Sequence, residues 1–374
     1  MKKIGHAEVA VIGSGIMGLA IAYEAAKKGK KVTVFERHSY PIGASVRNFG
    51  TIWPIGQKME NYDRAMRSRA VWLELSEKAQ IHIDQTGSLH LAYFQDEMDV
   101  FEEFIENTNG AYQANIISPN AVKKYSNAAV SKGLKGALYS QSEMTVSSPK
   151  AIMQIIRYLK EQFQVQFEFD VFITNIKMPV IESSNRFWTA EKIFVCTGSD
   201  FETLYPEIYA NAGLIKCKLQ MLNTVAQPQD WRLGAVLCGG LTLRHYASFA
   251  DCKSVNKVSE RYNAEEPLLA KYGIHIILSQ NSDGQLIIGD SHEYGQTLSP
   301  FDNEEVNELI LTYLKKFAGF PEPKIKERWH GIYLKSNDQT EYVSHPELGV
   351  TIVNGLGGAG MTLSFGLAQE LIQF

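Results

Sequence analysis

Residues 9–37 read VAVIGSGIMGLAIAYEAAKKGKKVTVFER, and the order of elements inside this stretch decides the fold. Residues 9–12 are a short apolar run suited to a buried parallel strand. Gly13, Gly15 and Gly18 then make G-x-G-x-x-G. The helix that follows carries Ile16 and Met17 in its first turn and stops near Lys28, with Gly29 behind it. Residues 32–35 form a second buried strand, closed by Glu36 with Arg37 beside it. Gly13 permits the tight turn, Gly15 lets the backbone approach a diphosphate, and Gly18 lets helix and strand pack closely. The diphosphate belongs at the positive helix N-terminus. Glu36 can accept hydrogen bonds from ribose hydroxyls, and its charge repels a 2′-phosphate. The stretch is a dinucleotide-binding unit, but by itself it does not separate NAD from FAD.

The rest of the chain bounds the answer. At 374 residues there is room for a full core and two domains. With 45% hydrophobic and 21% charged residues and a formal net charge of −4, nothing calls for nucleic-acid binding. The basic clusters at Lys27–Lys31 and Arg64–Arg69 read as solvated helix faces. No apolar run approaches a membrane span. The first strand begins too soon after Met1 for a signal peptide. Cys196, Cys217, Cys238 and Cys252 show no C-x-x-C spacing, which fits a reducing cytoplasm. The nine histidines form no H-x-x-x-H pair, so no metal site is expected. Oligomeric state is not legible.

Along the chain, the spacing predicts a helix over 60–79, a hairpin of 81–83 with 89–93, and a helix near 96–107. Ser148 with Pro149 reads as a helix start. A strand is expected over 167–173, carrying Val171, and a hairpin return from Trp188 ends in IFVCTGSD (193–200). Strands and hairpins then dominate at 218–226, 235–243, 274–280 and 285–289. Asp302 with Glu305 suggests a capped helix to Phe317. The chain closes with a strand at 350–353, a glycine turn and a last helix. These elements give an α/β fold: a discontinuous Rossmann-like dinucleotide-binding domain (1–80, 146–216, 328–374) and a second α+β, sheet-rich domain (81–145, 217–327) facing it.

Two further stretches favour FAD. The run around Cys196, Thr197 and Gly198 resembles the strand end that crosses beneath an FAD diphosphate. The terminal NGLGGAGMTLSFGLAQELI (354–372) resembles the glycine turn and helix that meet an isoalloxazine ring. It places Gly357, Gly358, Ala359, Gly360, Met361 and Thr362 at the flavin, where a helix N-terminus would stabilise a reduced, anionic ring. Over its full length the chain resembles the D-amino acid dehydrogenase, glycine oxidase and sarcosine oxidase superfamily. GASVRNFG (43–50) parallels a cofactor stretch of that group, which implies that Ser45, Asn48 and Gly50 lie along FAD. RWHGIYLKSNDQTEYV (328–343) parallels the segment leading to the flavin turn. The resemblance implies amine oxidation, with hydride passing from the carbon bearing nitrogen to flavin N5.

Three departures from that pattern narrow the reading. Tyr333 stands where an arginine would clamp a substrate carboxylate. Another cation must then hold an anionic substrate: Arg47 first, then Arg244, His245 and Lys335. Trp53, Tyr246 and His330 accompany them by segment position, although each aromatic is equally suited to core packing. The opening GASVRNFGTIWP is also similar to a subgroup associated with phosphonate breakdown, which implies an aminophosphonate substrate. Gly331 occupies the position of a flavin-linking cysteine, so FAD is expected to be noncovalent. Ile287 replaces an oxygen-activating lysine, which leaves oxygen and a quinone both open as electron acceptors. A glycine, sarcosine or D-amino acid oxidase or dehydrogenase, an NAD-dependent dehydrogenase, and a tRNA-modifying flavoprotein or non-catalytic binding module are the alternatives.

Overall fold

Strand Lys2–Ile12 lies at the centre of an eight-stranded sheet in the computed structural model, which describes residues 2–336 and 339–373. It pairs in parallel with Val32–Phe35 on one side and Arg186–Val195 on the other. Gln166–Glu168 and Val350–Asn354 extend the parallel array outward. Strands covered on both faces need apolar residues throughout, and Val9, Ala10 and Val11 are all buried. Helices Ile16–Lys27, Met59–Lys78, Ser148–Phe163 and Gly360–Leu371 cover one face. The last two of these to meet, Met59–Lys78 and Gly360–Leu371, are tied closely. The Trp72 indole N–H donates to the Met361 carbonyl at 2.8 Å, and Trp72 packs edge-on against Phe365. An aromatic buried this completely contributes about 3–5 kcal/mol relative to alanine. This packing fixes where the N-terminus of the last helix points.

The second sheet has nine strands, with Leu214–Ala226 as its longest member. Gln285–Gly289 and Glu293–Gly295 pair with one edge of that strand, and Ile325–Ser336 runs antiparallel along the other. Ile277–Gln280, Val236–Cys238, Ser88–Ala92, Gly136–Ser140 and Ala114–Ile117 complete it. Helices Gln95–Thr108, Val255–Glu265 and Glu304–Phe317 back this sheet and close the largest apolar core. Among the described residues no helix is long and apolar enough to cross a membrane.

Several local expectations change. The 328–374 boundary falls inside strand Ile325–Ser336, which stays on the second sheet from Thr224↔Ile325 to Leu214↔Ser336. The chain returns to the first sheet only at Tyr342–Ser344. Asn337 and Asp338, part of the segment compared above, lie outside the described residues. Residues 81–93 form no hairpin: Ile83–Asp84 pairs with Met144–Val146, whereas Ser88–Ala92 joins the large sheet. The strand after Gln166 ends at Glu168 because Asp170 adopts φ +56. Residues 235–243 give only Val236–Cys238 before a 3₁₀ turn at Gly240–Arg244. Ser148 is the first helical residue rather than the cap, and its hydroxyl donates to Asn48 Oδ1 at 2.7 Å. Asn303, not Asp302, caps the later helix, accepting from the Glu305 N–H. Asp302 is instead drawn to Lys218 (3.1 Å) and His330 (2.8 Å), stronger partners than a backbone amide.

Candidate functional site: a cleft between the two sheets

Two helix N-termini and one face of the second sheet border an elongated cleft made of two adjoining cavities, of 380 and 480 Å³. Ile16, Ala44, Ser45, Arg47, Tyr333, Gly355, Leu356, Gly357 and Gly360 belong to both.

The first cavity is built on the G-x-G-x-x-G turn. Gly13 adopts φ +105, and a Cβ on it would lie 2.3 Å from the Cys196 carbonyl oxygen. A Cβ on Gly18 would lie 2.0 Å from the carbonyl oxygen of Gly13. These two contacts hold the turn between the central strands. Gly15 differs, since a Cβ there meets only the Ser45 hydroxyl, at 3.0 Å. Ser45 also accepts a hydrogen bond from the Ile16 N–H at 2.9 Å, tying residues 43–50 to the helix start. Glu36 is buried at the end of its strand, where Ser14 donates to it from hydroxyl (2.6 Å) and amide (3.2 Å), and His38 from its amide (3.1 Å). Arg37 pairs with Asp200 across the rim. Thr197 donates to the Asp200 carbonyl, and the Gly198 amide donates to Asn354, so the crossing strand and the terminal strand are locked together. Val171 and Cys196 supply apolar wall.

These residues fit an FAD. A helix start with no acidic residue in its first turn suits a diphosphate, and a fixed carboxylate suits a ribose. The glycines leave room for close backbone approach. Replacing Glu36 by alanine removes charge-assisted hydrogen bonds of about 1.5–3 kcal/mol, so the Kd for FAD is expected to rise about 10- to 100-fold. Titrating apoprotein with FAD by fluorescence quenching reads this directly, and an unchanged Kd refutes it.

The second cavity lies over the terminal glycine turn. Gly358, Ala359, Met361 and Thr362 line it, with Asn48 and Trp53 at one side. The Trp53 amide donates to Thr362 Oγ1 at 2.9 Å. The facing wall is the second sheet. Side chains two apart share a strand face, so Gly331, Tyr333 and Lys335 all reach the cavity, paired across from Leu219, Cys217 and Ile215. Burial, with Cys217 and Asp290 nearby, holds the Tyr333 phenol well above the usual tyrosine range, so it remains a neutral donor. Arg47 Nη1 donates to the His330 carbonyl at 3.2 Å, and Lys335 Nζ reaches the Tyr294 hydroxyl at 3.4 Å. Among the described residues neither cation has a carboxylate partner.

The structure therefore brings Arg47, His245, Tyr333 and Lys335 to one cavity. It does not bring Arg244, which faces the other way and donates to Asn263 at 3.1 Å. Gly50 and Gly18 line neither cavity, and Gly50 packs on the Val146 carbonyl. Ile287 lies in the apolar cluster behind Leu219 and Met221. His330 is engaged with Asp302 at the surface.

The expectation of no metal site meets a finding that spacing along the chain could not show. His245, His275 and His292 come together at the cavity wall, their ligating atoms within 4.8 Å of one another, beside buried Asp290. No motif or spacing along the chain marks His275, Asp290 or His292. They are 30 and 47 residues from His245 at the extremes, and only strand pairing unites them. The His245 ring is open to the cavity yet surrounded by protein. Burial and the neighbouring charges hold His245 and His275 well below the usual histidine range, and burial brings His292 down to about 4. Burial pushes Asp290 well above the usual carboxylate range.

A discontinuous dinucleotide fold with a second sheet roofing the terminal glycine turn defines the class of protein: a flavin-type oxidoreductase. The family model for FAD dependent oxidoreductases, DAO, matches residues 8–374, and the chain belongs to that family. The nicotinamide alternative is set aside. The chain is 23% identical to monomeric sarcosine oxidase from a Bacillus species, covering 98% of this chain and 92% of that protein. It is also 23% identical to glycine oxidase from Geobacillus kaustophilus, covering 96% and 89%. The glycine oxidase structure superposes with a TM-score of 0.77, at 18% identity over 98% of this chain and 94% of that one. L-proline dehydrogenase from P. horikoshii gives 0.78, at 19% identity over 98% and 92%.

Proposed function

We propose that the protein oxidises the C–N bond of a small primary or secondary amine that carries an anionic group, with 2-aminoethylphosphonate or its N-methyl derivative as the best-matched substrates. One observation carries this reading: Arg47 and Lys335 line the same cavity without a carboxylate partner among the described residues. Two cations left unpaired in a cavity call for an anion, and two of them match a phosphonate dianion better than a carboxylate. The neutral Tyr333 phenol adds a donor. The similar sarcosine and glycine oxidases support an amine as the reducing substrate.

When bound, FAD supplies the acceptor for the hydride leaving the carbon that bears nitrogen. The chain supplies orientation and exclusion of water. Leu219, Met221, Trp53 and Tyr246 give the cavity an apolar lining that positions the reacting carbon. The positive end of helix Gly360–Leu371 opens at the junction of the two cavities and favours negative charge there. Oxygen or a quinone then takes the electrons. A carboxylate substrate such as glycine, sarcosine or a D-amino acid is the second reading, since Arg47 alone offers the two-pronged geometry that carboxylates prefer.

Anaerobic bleaching of the flavin by a panel tests the proposal. Glycine, sarcosine, D-alanine, D-proline, 2-aminoethylphosphonate and its N-methyl derivative are mixed with the yellow protein in turn. Bleaching is expected with the phosphonates at the lowest concentration. Bleaching by the amino acids alone means that one cation suffices, and removes the phosphonate.

A further inference from the structure

We propose that His245, His275 and His292 form a site for a divalent transition metal ion of the zinc class, and that its open position receives the anionic end of the amine substrate. The second half rests on the amine reading above.

Topology builds the cluster. His275 precedes strand Ile277–Gln280, and Asp290 and His292 follow strand Gln285–Gly289. His275 and Asp290 exchange two backbone hydrogen bonds, at 3.2 and 2.8 Å, which sets them opposite one another. His292, two residues on, returns to the same side. His245, just past the 3₁₀ turn, lays its ring against both, with centroids 3.8 Å from His275 and 4.6 Å from His292. The three ligating nitrogens thus meet without any being consecutive in sequence, and all border the cavity.

Hydrogen bonding decides what the cluster can hold. His292 Nδ1 lies 2.9 Å from the Gly273 carbonyl, which can only accept, so Nδ1 carries the proton and Nε2 is a bare lone pair. Outer-sphere carbonyls orient metal-ligating histidines in this way. His275 is buried and neither of its nitrogens has a hydrogen-bond partner. Asp290 Oδ1 lies 3.1 Å from His275 Nε2, out of line for a hydrogen bond, and is itself unpartnered. Rotation of the ring would let His275 Nε2–H donate a hydrogen bond to Asp290 Oδ1 and leave Nδ1 as the ligand, the carboxylate–histidine–metal arrangement. An anion alone would face the His292 lone pair, whereas a Lewis acid uses it. Three nitrogens select zinc, copper, nickel or iron over calcium or magnesium, and three ligands leave a position open. Lys335, whose charge is felt by all three rings, opposes a bare cation and favours one that carries an anion.

The test uses FAD-loaded protein, dialysed against chelator and titrated with Zn²⁺ in competition with a chromophoric chelator. Wild type is expected to take up a single Zn²⁺ per chain. His275→Ala and His292→Ala should lose that uptake while keeping their flavin spectrum, and Asp290→Asn should bind about 10- to 100-fold more weakly. His245→Asn, at the open cavity wall, gives the same readout if the buried variants fail to fold. No saturable uptake by wild type, or uptake undiminished in the variants, overturns the site. If Zn²⁺ binds but no amine bleaches the flavin, the amine reading fails and the metal site stands. If anionic amines bleach the metal-free protein with an unchanged KM, the metal's part in substrate binding is overturned and the amine reading stands.

Discussion

Gly13→Ala is expected to yield little soluble, flavin-loaded protein. The residue sits at φ +105, where an L side chain costs about 1–3 kcal/mol. The added Cβ would also fall 2.3 Å from the Cys196 carbonyl, backbone that cannot swing aside. Overpacking of that kind adds about 1–3 kcal/mol. The sum is a large share of an ordinary stability of about 5–15 kcal/mol, and it falls on the junction of two central strands. Gly15→Ala separates folding from binding, because its Cβ meets only the movable Ser45 hydroxyl. It should melt near the wild-type temperature by circular dichroism yet bind FAD at least about 10-fold more weakly, since the methyl group occupies the space a diphosphate needs. Wild-type flavin content and melting temperature in Gly13→Ala would sink the argument.

The same residues show why the first domain was legible in the sequence. Turn, helix and acidic strand end lie within 29 residues, and each is dictated by local sterics or charge that a linear reading captures. The terminal glycine turn was legible for the same reason. The second domain was read only as sheet-rich, because its pairings join residues far apart. The boundary at 328 cuts strand Ile325–Ser336 because its later residues lead in sequence to the flavin turn, while its partner, Leu214–Ala226, lies about 100 residues earlier. The histidine cluster was invisible for that reason too. Arg244 and His245 are adjacent in sequence, but a 3₁₀ turn sends one to Asn263 and the other to the cavity. The caps failed more locally. Ser148 and Asp302 carry the right chemistry, but Asn48 and Lys218, supplied by distant segments, compete for it.

Arg47→Ala is expected to raise the KM for anionic amines by about 30-fold to several-thousand-fold. One of the five guanidinium N–H groups is held by the His330 carbonyl, which aims the fork without using its charge. Taking away one member of a desolvated ion pair costs about 2–5 kcal/mol, and each 1.4 kcal/mol is tenfold. Arg47→Lys keeps the charge but loses the planar fork, so its KM should fall between those of wild type and alanine. An amine with an uncharged tail, such as N-methylpropylamine, should react equally with all three proteins. Because Arg47 also borders the first cavity, flavin content must be measured alongside. An unchanged KM at full flavin content would move the anchor to Lys335 and the histidine wall. A loss of flavin that accounts for the whole effect would make Arg47 a cofactor residue. A selective loss of anionic substrates, with flavin retained, is the result that the unpaired cation predicts.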